Sequence, residues 1–293
     1  MHPVIYDFGA ITISSFGVMM VIAFLLGNYL LRKDVVAEGY EPIVAEDITF
    51  RAAIGGILGA KIYYLIETIP TGQAADNISG LIEIIAGIFT LSGGRIADGI
   101  QNFGAGLVFL GGFMGGMAAV SWYVYRNRLN WLKVADWVAP FLILGHGIGR
   151  IGCFLVGDDY GIPTHLPWGV SFVNGLPPTT YQSFQFNYPW ISLDGFEPGL
   201  LTVYPTQLME TVLAVFIFGY LWSRREKIGF EGQLFFTYLV FAGLERFFIE
   251  FIRTNIKYIS VLTGSQIISI FMILIGVYFL RFNQQVNVPK PSD

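Results

Sequence analysis

Seven predominantly apolar stretches, separated by charged or Pro- and Gly-rich breaks, leave this chain few folds to choose from. A hydrocarbon core about 30 Å thick is crossed by roughly 17–25 residues of helix. The stretches that fit are Ile11–Leu31, Ile48–Thr68, Gly104–Tyr125, Val134–Val156, Thr202–Trp222, Gln233–Ile252 and Leu262–Leu280. Leu81–Thr90 is too short to cross and is expected to be an interfacial or re-entrant piece. With 54% hydrophobic and only 13% charged residues among 293, a soluble enzyme and a disordered chain are both excluded. One cysteine rules out a disulfide framework, and a net charge of -4 gives no basic footprint for nucleic acid. The expected fold class is an all-α polytopic membrane protein: one membrane-embedded domain over residues 1–293, with seven transmembrane helices and a small extracytoplasmic head.

Orientation follows from the basic residues, which are retained on the cytoplasmic side of spans. Arg32, Lys33, Arg126, Arg128, Lys133, Arg224, Arg225, Lys227, Arg281 and Lys290 fall on one side; only Arg95, Arg253 and Lys257 fall on the other. The N-terminus is therefore expected outside and the C-terminus in the cytoplasm, as seven crossings require. The opening Met1–Asp7 lacks a positive region and a cleavage site, so it is expected to be retained. The outer segment Gly157–Leu201 has no Lys or Arg, six prolines and many aromatics, which predicts an ordered cap rather than a long helix. The polar tail Asn283–Asp293, with two prolines, is expected to be disordered.

Four basic residues remain inside the spans: Arg51, Lys61, Arg150 and Arg246. Arg51 sits at a span end and can snorkel to water. Lys61, Arg150 and Arg246 each lie about 9–10 Å below the outer boundary at 1.5 Å per residue, which suggests one site. A cation at a helix centre costs about 2.5–3.5 kcal/mol on insertion scales. Its partner is either an intramembrane carboxylate, from Glu67, Glu210, Glu245 or Glu250, or an anion that arrives and leaves, foremost a lipid phosphate. Glu250 lies one turn beyond Arg246, where an i,i+4 pair is easy. Around Arg150 the glycines 145, 147, 149 and 152 make room for a close neighbour, and His146, Arg150 and Cys153 share one helical stripe.

The run Gly149-Arg150-Ile151-Gly152-Cys153-Phe154-Leu155-Val156-Gly157-Asp158-Asp159-Tyr160-Gly161 resembles the signature Gly-Arg-x-Gly-Asn-Phe-x-Asn-Gly-Glu-x-x-Gly of the bacterial prolipoprotein diacylglyceryl transferases. Pro205-Thr206-Gln207-Leu208-Met209-Glu210, the Arg246–Arg253 segment, which follows Arg-x-x-x-Glu-x-x-Arg, and Gln266-Ile267-Ile268-Ser269 are similar to further family elements in the same order. The resemblance implies a seven-helix inner-membrane enzyme. It would move the diacylglyceryl group of phosphatidylglycerol onto the lipobox cysteine of a prolipoprotein signal peptide and release glycerol phosphate. By this match Arg150 would hold the headgroup, Arg246 would neutralise the leaving phosphate with Glu250 and Arg253 organising it, and Asp158 would take the place of the family's Glu. Gly161 and Gln207 would complete the substrate site with Lys61. The chain departs from the pattern at Leu110, where the family has its essential histidine, and at Cys153, Asp158 and Phe16.

A thiol of pKa about 8.5 is mostly protonated near neutrality, so thioether formation needs a base. His146, one turn before Arg150, is the candidate; the bland alternative is a histidine that only bonds between helices. No metal cluster, nucleotide loop or haem pattern is present in the sequence, and no cofactor is expected. Two other classes use the same cations: an anion transporter, and a divergent relative that binds anionic phospholipid without turnover. Cys153 in a glycine-rich helix is expected to pack rather than react.

Overall fold

The computed structural model describes residues 3–7, 12–104, 106–259 and 262–286. The chain forms two compact units: Met1–Pro3, Ser15–Leu31 and Leu132–Asp293 make the first, and Val4–Ser14 with Arg32–Trp131 the second. Ten α-helices are described: α1 Ser15–Ala37, α2 Ile43–Thr68, α3 Gln73–Phe89, α4 Gly93–Gly104, α5 Phe109–Arg126, α6 Trp131–Val156, α7 Tyr181–Asn187, α8 Thr206–Arg224, α9 Gln233–Ile249 and α10 Gly264–Val286. Strands are confined to two antiparallel hairpins, β1 Val4–Asp7 with β2 Thr12–Ser14, and β3 Lys257–Ile259 with β4 Leu262–Thr263. The protein is an all-α membrane protein in which five helices, α1, α2 with its following turn, α6, α8 and α10, are long and apolar enough to cross a bilayer.

Several boundaries differ from the expectation for local reasons. The first helix starts at Ser15, after β2, and runs on to Ala37; Ile11 lies outside the described residues. The fifth begins at Thr206 because Pro205 precedes it and Val203 pairs with Pro163 and Val170. The third begins at Phe109, and the sixth tightens into a 3-10 turn, Glu250–Ile252, after Ile249. Leu81–Thr90 is mostly part of the longer helix α3, which turns back as α4, a helix that hydropathy alone did not indicate. The C-terminal tail is helical to Val286, and residues 287–293 lie outside the described residues.

Glycine sets the packing of the second unit. A Cβ on Gly59 would fall 2.8 Å from Gly115 Cα and overlap the Gly111 carbonyl, and one on Gly55 would fall 2.7 Å from the Gly115 carbonyl oxygen. Helices α2 and α5 therefore touch backbone to backbone, as small residues permit in a membrane. Lys61, on α2, gives its ammonium to the Asn77 side chain and the Phe103 carbonyl, and lies 4.5 Å from the Phe103 ring centre. In the first unit Asp136 on α6 accepts the backbone N–H groups of Gly232 at 2.6 Å and Phe235 at 2.8 Å, capping α9. The segment Gly157–Leu201 is ordered around Tyr160, Phe172 and Phe184, which with Leu201 and Val203 form a buried aromatic-rich core. Its only described helix is the seven-residue α7.

Gly115→Val is expected to cost about 1–3 kcal/mol or more, because overpacking against backbone cannot relax. Gly93→Ala, at a position where a Cβ meets nothing within 4 Å, should stay within about 0.5 kcal/mol. Thermal unfolding in detergent of both variants and the parent distinguishes the two.

Candidate active site

The spacing of His146, Arg150 and Cys153 along α6 places them on one face, and Arg150 Nη1 lies 3.8 Å from Cys153 Sγ. Facing this stripe is Glu210, one turn into α8 and 0% exposed. Its Oε2 lies 2.8 Å from Arg150 Nε, 3.3 Å from His146 Nε2 and 3.6 Å from Arg246 Nη1, while Oε1 accepts from Arg253 Nη1 at 2.9 Å. The Oε2 contacts are ion contacts whose directions do not meet hydrogen-bond geometry. An isolated buried carboxylate would cost many kcal/mol, and the same is true of each guanidinium; they are tolerated because they are buried together.

A second carboxylate closes the cluster from outside the helices. Asp159 receives Arg150 Nη1 at 2.7 Å and Arg253 Nη2 at 3.0 Å. Burial alone would raise its pKa, but Arg253 and Arg150 outweigh that effect and hold it at about 2. Asp159 adopts φ 58°, a left-handed conformation that Asp tolerates better than most residues, and Thr206 Oγ1 fixes its carbonyl at 3.0 Å. A third carboxylate, Glu250, accepts Asn255 Nδ2 at 2.7 Å and Thr263 Oγ1 at 2.8 Å on one oxygen, turning the other toward Arg246 Nη2 at 3.2 Å. The i,i+4 pair of Arg246 and Glu250 is thus formed. Arg246 also reaches Ser265 Oγ at 3.3 Å.

Exposure separates the roles of these side chains. Arg253 is 4% exposed and Arg150 11%, whereas Arg246 is 25% and His146 32% exposed. Arg246 also has the longest ion contacts to Glu210, so it is the guanidinium best placed to exchange a partner.

Of the sequence-predicted residues, His146, Arg150, Arg246, Glu250 and Arg253 come together here. Asp158 stands beside them, but the carboxylate that meets the guanidiniums is its neighbour Asp159. The Asp158 carbonyl accepts Gln207 Nε2 at 2.6 Å, and its Oδ1 is buried without a hydrogen bond. Burial and the charge of Asp159 push the Asp158 pKa up. Gly161 supports the site through its backbone: it bridges Arg253, and a Cβ there would lie 2.5 Å from the Ile252 carbonyl oxygen. Lys61 belongs to the second unit, with the partners described above. Asp159 was missed because two successive aspartates offer no pattern that says which one turns inward. Glu245, 6% exposed on α9, lies 3.7 Å from His146 Nε2. One oxygen each from Glu210 and Glu245 and a nitrogen of His146 lie within 4.8 Å of one another, a set with metal-ligating composition.

Asp159 should stabilise the fold fully above its ordinary pKa of 3.8 and lose that contribution as pH falls toward about 2. Thermal melts across that interval are expected to fall more steeply for the parent than for Asp159→Asn. Glu210→Gln should destabilise by about 3–5 kcal/mol at neutral pH, because the buried guanidiniums lose their common counter-charge; unfolding of the purified variant in detergent measures it.

The family model for prolipoprotein diacylglyceryl transferase matches residues 3–282. The phosphatidylglycerol–prolipoprotein diacylglyceryl transferase of Clostridium tetani is 32% identical, over 97% of this chain and 100% of the relative. A second such transferase of Clostridium perfringens is 28% identical over 97% of this chain and 96% of the relative. That of Finegoldia magna is 28% identical over 98% of both. With arginines on three separate segments gathered round one buried glutamate, and a family match that runs almost from end to end, the chain belongs to the prolipoprotein diacylglyceryl transferase family.

Proposed function

We propose that the chain transfers the diacylglyceryl group of phosphatidylglycerol to the lipobox cysteine thiol of prolipoproteins, the first step of lipoprotein maturation, and that the cluster around Glu210 is where this happens. The observation that carries the assignment is the convergence of Arg150, Arg246 and Arg253 on Glu210, with Arg246 the most open of the three. Guanidinium groups bind phosphate through paired N–H donors, and here they are largely buried rather than fully in water.

The sulfur attacks the glycerol carbon that carries the phosphate. A carbon–sulfur bond forms, the carbon–oxygen bond breaks, and its electron pair stays on the phosphate oxygen as glycerol phosphate leaves. The phosphodiester monoanion thereby becomes a phosphomonoester with a second charge. Arg246, trading its long contacts to Glu210 and Glu250 for phosphate oxygens, stabilises that charge more in the transition state than in the bound lipid, which is the difference that lowers the barrier. Arg150, tied to Glu210 and Asp159, is the fixed part of the clamp. Gln207 and Asp158 present buried oxygens without hydrogen bonds, which suits them to receive hydroxyl donors of the glycerol headgroup. The thiol proton passes to His146, which is partly open and lies one turn from Arg150.

The reading includes seven crossings, the five long apolar helices together with α5 and α9, whose 18 and 17 residues would span about 26–27 Å at 1.5 Å per residue. The distribution of basic residues favours the N-terminus and the Gly157–Leu201 cap outside and the C-terminus in the cytoplasm of a bacterial inner membrane.

Arg246→Ala and Arg150→Ala are expected to abolish transfer while leaving the protein in the membrane. Arg150→Lys should remain impaired at least tenfold, since an ammonium cannot span Glu210 and Asp159 as the fork does. His146→Ala should lower the rate by about 10²–10⁴-fold. The measurement is mass spectrometry of a lipobox peptide incubated with purified protein and phosphatidylglycerol. Wild-type protein that adds no diacylglyceryl mass while retaining bound lipid would overturn the transferase assignment.

A further inference from the structure

Glu245 takes no part in holding the guanidinium cluster, yet it is 6% exposed within a membrane helix. Among the described residues its ion contact is to His146 Nε2 at 3.7 Å, and its Oε1 is buried without a hydrogen bond. A buried carboxylate with so little compensation is unfavourable, and an apolar side chain of the same size would pack there at lower cost. Its placement therefore points to a charge that is needed when something else becomes positive.

His146 Nε2 lies 3.7 Å from Glu245 Oε1 and 3.3 Å from Glu210 Oε2, and it is itself buried without a hydrogen bond. The Glu210 oxygen already faces Arg150 Nε at 2.8 Å and Arg246 Nη1 at 3.6 Å, so its charge is shared with two guanidiniums. That of Glu245 is not. From the remaining elements, α1 presents the uncharged Phe16 and Met20 to this face of α6, and Tyr238 on α9 lies within electrostatic reach of Glu245.

We propose that Glu245 is a positioning residue for His146: it holds the imidazole with its Nε2–H toward the two carboxylates, leaving Nδ1 to take the thiol proton, and it balances the imidazolium that results. This rests on the assignment of His146 as the proton acceptor. The arrangement follows the logic of a carboxylate that orients a catalytic histidine and stabilises its cation without itself taking the proton. The same three side chains are close enough to hold a divalent cation. The Arg150 guanidinium beside the shared Glu210 oxygen opposes a divalent centre there more strongly than a singly charged imidazolium, which favours the imidazole reading.

The test is steady-state transfer from phosphatidylglycerol to a lipobox peptide, across pH, by the wild type, Glu245→Gln, His146→Ala and the double variant. Glu245→Gln is expected to lower kcat about tenfold or more, a part of the about 10²–10⁴-fold that a positioned base supplies, with KM for the lipid changed less than about twofold. The acid limb of its kcat/KM profile should move to lower pH, because an imidazolium without its counter-charge loses its proton more readily. In the His146→Ala background the same substitution should add no further loss. Glu245→Asp, which keeps the charge, should keep the acid limb near its wild-type position and shows whether a weak Glu245→Gln protein has merely failed to fold. Full activity in His146→Ala would remove the assignment on which this one rests. An impaired His146→Ala with an unaffected Glu245→Gln would overturn the role of Glu245 alone, as would losses that multiply independently in the double variant. A divalent metal that copurifies with the wild type and is lost in Glu245→Gln would overturn it in favour of a metal site.

Discussion

Glu210 is the constraint on which the rest of the site depends. One fully buried carboxylate receives ion contacts from His146, Arg150, Arg246 and Arg253, which come from α6, α9 and the chain just after the Glu250–Ile252 turn. None of these groups could be buried alone without a cost comparable to the stability of the protein. Buried together they tie those elements to one another. Helix packing in a membrane lacks the hydrophobic drive that orders a soluble core, so directional polar contacts of this kind carry more of the specificity.

The cluster is close to charge balance, and that shapes how it can work. Arg150, Arg246 and Arg253 are met by Glu210, Asp159 and Glu250, so the site is not a strongly positive patch waiting for any anion. In the proposed function a phosphate exchanges with a carboxylate contact, and Arg246, the most exposed of the three guanidiniums, is where that exchange would take place. Arg150 and Arg253 are locked between Glu210 and Asp159, which keeps their forks aimed. A preorganised donor that need not reorient when charge develops is what makes electrostatic stabilisation large. The ordered segment around Tyr160, Phe172 and Phe184 positions Asp159, since Tyr160 is the next residue and is itself 1% exposed.

Five of the seven expected spans appear as helices long and apolar enough to cross a bilayer, and these were legible in the amino-acid sequence because an apolar run of that length has few other uses. Equal depth suggested one site for Lys61, Arg150 and Arg246; the two arginines do share Glu210, whereas Lys61 lies in the second unit with Asn77 and Phe103. The i,i+4 pair of Arg246 and Glu250 follows from helical spacing alone. Less was visible where the backbone leaves regular structure. Nothing in Asp158-Asp159 says that the second aspartate turns inward, since the left-handed φ of Asp159 is set by its Thr206 anchor and by Tyr160 entering the aromatic core. Helix α4 was hidden because its charged and apolar residues alternate by face and never sum to an apolar run.

The sequence by itself determined that this chain lives in a membrane, that its cations are buried and need partners, and, through ordered motifs, which family it belongs to. Beyond the i,i+4 pair of Arg246 and Glu250, only the tertiary structure decided which carboxylate each cation meets: Glu210 shared among three arginines and a histidine, Asp159 rather than its neighbour, and Glu245 left facing His146. The reason is physical. Burial and periodicity are properties of short segments that a pattern of residues can encode. The pairing of charges across helices depends on rotation and depth set by packing of all of them at once.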